Sequence, residues 1–167
     1  MPAVRHKIIK DYMSNLRKRH IWLPAILGVL TPSLVIFLLE VFVGHISPIR
    51  SVLSILERQF AEGHNLFLIM VFGFIPFAIL IGITVILSRT VKGKRLDCLF
   101  IGGLLGILVL MVLGHVAVWF PLYGGSHMSS TSVIAFFFIP FYCIGTMGIG
   151  MLIGWVISRL PFFGSES

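Results

Sequence analysis

Glu40 and His115 are the two ionisable side chains that fall clearly inside the long apolar runs of this sequence. Glu40 lies about one helical turn before the end of its run, and His115 about two turns before the end of another. Their depths in a bilayer would therefore differ by only ~4–5 Å. A carboxylate and an imidazole at matched depth can share a proton, hold a cation, or pair for structure. Glu40 is also shallow enough for its carboxylate to snorkel towards headgroups.

Three more histidines, His45, His64 and His127, fall in the same half of the chain's layout, beside Glu57 and Glu62. With His115 they are numerous enough for zinc or copper. No two share a helix turn or a short metal motif, so no metal is expected. Haem is not expected either, because helical cytochromes need opposed histidines within their spans. The two cysteines, Cys98 and Cys143, offer no pair on one outer face, which excludes quinone-linked thiol oxidases. The two aspartates, Asp11 and Asp97, lie outside the apolar runs, which excludes an intramembrane aspartyl hydrolase. A P-loop and a dinucleotide fingerprint are absent. The serine-rich stretch Tyr123–Ser132 holds His127 as its one base and no acid to orient it, so helix capping is its expected role. Neither a catalytic residue nor a cofactor is expected.

The elements that carry these residues are four apolar stretches, at about Trp22–Val43, Leu66–Leu87, Leu99–Leu122 and Val133–Ile157. Each spans roughly 30 Å as a helix, the thickness of a bilayer core. Hydrophobic residues make up 57% of the 167 and charged ones 11%, with a mean hydropathy of +1.04. Those values lie far outside the soluble range. The runs lack strand alternation, so the expected fold is an all-α, four-transmembrane-helix bundle. Residues 1–21 form a basic arm, 22–158 the membrane domain, and 159–167 a tail.

Basic residues set the orientation. The arm carries Arg5, Lys7, Lys10, Arg17, Lys18 and Arg19 against Asp11, and the second loop Arg89, Lys92, Lys94 and Arg95 against Asp97. The first loop is neutral, and the third has neither lysine nor arginine. The positive-inside rule puts both termini in the cytoplasm. The net charge of +7 then reflects topology and anionic headgroups, with no nucleic acid required. The arm has the makings of a surface helix, and the first span reads as a retained signal anchor.

In the first outer loop, Ser47-Pro48 is a good helix start, with serine as cap and proline at the first helical position. Ile49, Val52, Leu53, Leu56 and Phe60 recur at three- and four-residue spacing, with Arg50, Ser54 and Arg58 on another face, and Gly63 ends the pattern. This predicts a short amphipathic helix in the outer interface. Pro76 and Pro140 each lie in the motif Phe-x-Phe-Ile-Pro-Phe and deprive a carbonyl of its partner, so both are expected to bend their helices. The motif and two Gly-His pairs, Gly44-His45 and Gly114-His115, raise the question of an internal repeat of two hairpins. Gly102, Gly103 and Gly106, with Thr146, Gly150 and Gly154, are spaced for close helix contact. On a helical wheel His115 falls nearly opposite Gly106. If the glycine face is buried, His115 must find another helix, a cavity or a second protein.

The layout of four spans, inner termini and basic flanks resembles that of small multidrug exporters and of membrane-embedded immunity proteins against pore-forming toxins. No motif accompanies the likeness, and it assigns no residue a role. The expected function is a non-enzymatic accessory or interaction subunit, partnered by another membrane protein or by itself, in a bacterial inner membrane. The alternative is a small oligomeric transporter or channel whose outward vestibule is lined by Glu40 and His115 and shaped by Pro76 and Pro140.

Overall fold

A chain this apolar has few polar side chains to satisfy its backbone, so the backbone satisfies itself in helices. The computed structural model describes residues 2–59, 66–125 and 130–160, with the side chains of 2–17 and 130–135 left aside. Among the described residues there are five helices and no strand: α1 (Pro2–Phe42), α2 (Pro48–Glu57), α3 (Leu66–Leu87), α4 (Lys94–Tyr123) and α5 (Ser130–Ile157). Four of them are long and apolar enough to cross a membrane, over Lys18–Phe42, Leu66–Leu87, Lys94–Tyr123 and Phe136–Ile157. In the most apolar stretch of each, between 28% and 39% of residues are buried, so most of their surface is left for lipid. The chain is an integral membrane protein built as a helical bundle.

α1 packs on α3 and α4, and α5 on the same two helices, which places α1 and α5 at opposite corners. Ile36, Phe77, Leu80, Phe100, Ile107, Met111, Trp119 and Cys143 fill the centre. Five prolines, Pro24, Pro32, Pro76, Pro121 and Pro140, sit within helices that continue past them. Pro76 and Pro140 are both buried. Their aromatic motifs meet in the bundle, where the Phe72 ring stands edge-on to Phe137 at 5.2 Å. The Gly-His pairs do not occupy equivalent places. His45 is exposed in the turn after α1, whereas His115 is buried two turns inside α4.

The closest approach is between α4 and α5, which run antiparallel. Cys98 faces Gly154, Gly102 faces Gly150, and Gly106 faces Thr146, backbone against backbone. Both helices advance by four residues per contact, so the seam rotates about 40° around α4 at each step. Seams of this kind belong to the close, right-handed crossings that small residues permit. Gly103 lies one residue off the seam, against Leu80, Met147 and Met151. Further along, Gly114 meets Ile139, and His115 and Trp119 lie beside Phe136. The rotation explains how a residue opposite Gly106 on the wheel still reaches α5.

Gly145 and Gly148, on α5, look onto open space. Gly106→Ala would set a methyl group on the Thr146 carbonyl and force the helices apart. The expected cost is about 1–3 kcal/mol. Gly145→Ala and Gly148→Ala add helix propensity without a clash and are expected to be neutral or stabilising by up to about 1 kcal/mol. Unfolding of the three variants in one detergent micelle would compare them directly.

Candidate functional site

Glu40 is 0% exposed. The carboxylate does not snorkel; it is turned beneath α2 by the way α1 ends. His45 takes the left-handed conformation, with φ of 52°, and reverses the chain. The Ile46 N–H then donates to the Glu40 carbonyl at 3.0 Å. Ser47 has the extended backbone of an N-cap, with Pro48 following it, but its side chain makes no capping bond. The expected serine cap is therefore a backbone feature alone.

Within α2 the three- and four-residue spacing of Ser51, Ser54 and Arg58 puts them on one face. That face is the inner one. Ser51 Oγ donates to Glu40 Oε2 at 2.6 Å, while Ser54 Oγ and Arg58 Nη1 donate to Oε1 at 3.4 and 3.2 Å. From α4, the Tyr123 hydroxyl donates to the same Oε1 at 2.9 Å and accepts from Arg58 Nη1 at 3.3 Å. Of the four donors, three converge on Oε1 and one, Ser51, serves Oε2. Arg58 is the charge partner, one third exposed at the edge of the cluster.

On α2, Ser51 and Ile55 are buried, while Arg50 and Glu57 are exposed. Ile49, Val52, Leu53 and Leu56 are exposed. The far end of α2 is tied as well, since the Leu66 and Phe67 N–H groups donate to the Arg58 and Gln59 carbonyls at 3.1 Å each. Those bonds pair the two carbonyls just past α2 with open amides at the start of α3. Phe60 and Gly63, the expected end of the helix pattern, lie outside the described residues.

His115 is 2% exposed and points into the bundle, so it needs no second protein to cover it. Its Nδ1 lies 2.9 Å from the Met111 carbonyl. A carbonyl only accepts, so Nδ1 carries the proton and Nε2 of the neutral ring is left as an acceptor. Nε2 has no hydrogen-bond partner, and neither has Trp119 Nε1, one turn further along α4. Trp119 stacks on Tyr123, with ring centroids 6.3 Å apart. His115, Trp119 and Tyr123 therefore form a ladder at four-residue spacing that leads to Glu40. The two sequence candidates belong to one interior line, joined through aromatic rings.

A second polar cluster lies at the opposite end of the bundle. Asp97 Oδ1 receives Arg19 Nη2 at 3.2 Å and lies 2.9 Å from His20 Nε2. The buried His20 ring stands edge-on to Phe100 at 4.4 Å. Arg159 caps the same end, 4.0 Å over the Trp155 ring. The sequence offered a partial signal for the Glu40 cluster: a buried acid one turn from a helix end needs a cation, and Arg58 shares a stripe with two serines. For Asp97 and His20, 77 residues apart, it offered none.

Of the remaining candidates, His64 and His127 lie outside the described residues. Among the described residues no three His, Cys, Asp or Glu side chains converge on one point. Gly102, Gly106, Thr146, Gly150 and Gly154 line an apolar groove of about 470 Å³ along the lipid side of the α4–α5 seam. The chain matches no protein-family model, no curated protein and no solved structure.

The Glu40 cluster predicts a graded response. Glu40→Leu strands Arg58, Tyr123 and Ser51 together, and is expected to cost about 3 kcal/mol, the low end for a broken buried pair. Ser51→Ala removes one charge-assisted bond, at about 1–2 kcal/mol. Amide hydrogen exchange should rise across α2 in both variants and stay unchanged in α5.

Proposed function

We propose that this protein is a non-enzymatic accessory subunit of a bacterial inner-membrane complex, with both termini in the cytoplasm. The topology rests on charge. Lys18, Arg19, Arg89, Lys92, Lys94, Arg95 and Arg159 gather at the Asp97 end, and the Glu40 end carries Arg50 and Arg58 against Glu40 and Glu57. In this frame α2 lies in the outer interface, with Ser51, Ser54 and Arg58 on the bundle and Ile49, Val52, Leu53 and Leu56 towards lipid.

The observation that carries the reading is the enclosure of Glu40. A carboxylate that carries ions or protons needs access; this one has four donors and no exposure. The carboxylate buried in the first span thereby acts as a structural latch. What is left to interact is surface, and the groove over the α4–α5 seam is wide enough and apolar enough to seat a helix of another membrane protein. His115, turned inward, lends no support to this reading.

The interior ladder favours a second reading, a small transporter or channel. Two unpartnered nitrogens at His115 and Trp119, leading to Glu40, make a polar line through an apolar core. Native mass spectrometry from lipid nanodiscs separates the two. A hetero-complex of fixed stoichiometry, lost when Leu105→Trp fills the groove from its exposed wall and kept in Glu40→Gln, is the expected result. A homo-oligomer with a flux abolished by Glu40→Gln would establish transport. Reporter fusions at residues 1 and 167 should both read as cytoplasmic.

A further inference from the structure

Tyrosine in membrane helices belongs at the headgroup level, where its ring is buried and its hydroxyl is wet. Tyr142 is not there. The contacts of Gly106 with Thr146 and of Gly114 with Ile139 place it level with Leu110 of α4. That is the middle of the Lys94–Tyr123 span, about 20–24 Å of helix from its ends. The side chain is 64% exposed, so it faces lipid, and its hydroxyl makes no hydrogen bond among the described residues. The ring leans on Phe138, one turn back, with centroids 6.5 Å apart. From mid-span it is too short to carry the hydroxyl to the headgroups, roughly 15 Å away. A hydroxyl without a partner in hydrocarbon is costly, so this one needs an acceptor that no described residue supplies.

The residue stands at the end of the α4–α5 groove. Tyr142 precedes Thr146 and Ile149 by four and seven residues, on the same face of α5, and both of these line the groove. From that height the groove runs to Cys98, about 18 Å along α4. Its floor is the backbone seam at Gly102 and Gly150, and the exposed side chains of Leu105 and Ile149 form its walls. The surface is therefore concave and apolar along its length, with one unserved hydroxyl at its mid-membrane end.

Three occupants can meet such a groove in a membrane: a lipid tail, a second copy of this chain, or the helix of another protein. A lipid tail fills the concavity but brings no acceptor to mid-depth, because its oxygens lie in the headgroup region. A second copy would set one concave face against another and leave the space between them unfilled. A convex helix fills the groove and can carry an acceptor at the height of Tyr142. We propose that the groove seats a transmembrane helix of another protein, which presents large apolar side chains to the Gly102–Gly150 seam and a hydrogen-bond acceptor, such as the side-chain carbonyl of asparagine or glutamine, to the Tyr142 hydroxyl. This rests on the accessory reading and gives its partner a chemistry: apolar over half its length and polar at the bilayer middle.

The test uses the full chain in phosphatidylcholine vesicles with two synthetic transmembrane peptides, one of leucine and alanine only, the other with a single central asparagine. Energy transfer between labels reads binding. The asparagine peptide is expected to bind about three- to tenfold more tightly than its parent. Tyr142→Phe, which keeps the ring, is expected to bind both peptides alike, and Leu105→Trp to weaken both. Binding of neither peptide, equal binding of the two, or a preference that survives Tyr142→Phe overturns the proposal. A homodimer lost in Leu105→Trp overturns it too, by giving the groove to a second copy. Its failure is separable from that of the accessory reading. A hetero-complex in native mass spectrometry with no preference for the asparagine peptide removes the Tyr142 contact alone. A preference with no hetero-complex removes the accessory role and upholds the chemistry of the groove.

Discussion

A carboxylate placed inside hydrocarbon must be fully partnered, and that requirement organises one end of this protein. Glu40 is reached by α2 through Ser51, Ser54 and Arg58 and by α4 through Tyr123, while its own carbonyl takes the Ile46 amide. Three elements are thereby fixed about one residue. The left-handed turn at His45 and the inward serines of α2 follow from it. Without the acid, α2 would have no reason to turn its serines inward and leave Ile49, Val52, Leu53 and Leu56 outside.

The rest of the bundle depends on an opposite economy, the absence of side chains. Along α4 and α5 the contact is between backbones, and carbonyls sit where β-carbons would be. Lipid gives apolar helices no reason to associate, so van der Waals contact at this range is the cohesive force. The seam's four-residue step also swings His115 from the apparent outside of α4 to its interior. One interaction is polar and single, the other apolar and distributed. Together they hold the two ends of α4, which touches α1, α3 and α5.

The spans were legible because apolar runs of bilayer length have few other structural outcomes. Leu66–Leu87 is read identically from the sequence and from the structure. The small residues of α4 and α5 were also legible, since their spacing is itself the geometry of the contact. The partners of Glu40 were only half legible. Period marks Ser54 and Arg58 as neighbours on a face, but the face's direction depends on an acid 14 and 18 residues earlier. Arg50 and Glu57 of α2 are exposed while Ser51 and Ile55 are buried, so spacing alone does not tell which side of the helix turns inward. The wheel position of His115 left open whether another helix, a cavity or a second protein meets it, because a rotating seam brings different faces into contact at different heights; here Phe136 of α5 lies beside it. Asp97 and His20 meet from two helices, and no local pattern encodes such a meeting.

The Glu40 cluster joins residues that emerge far apart in time during synthesis. Arg58 follows Glu40 by 18 residues, but Tyr123 follows it by 83. At roughly 5–20 residues per second, the last donor arrives about 3–13 s after the arginine. Through that interval α1, α2 and α3 can associate with the acid served by α2 alone. The final hydroxyl comes only when α4 is threaded with Tyr123 at the correct height. Tyr123 is thus a register mark: its bond to Glu40 closes when the third span is fully inserted and remains open if that span stops short.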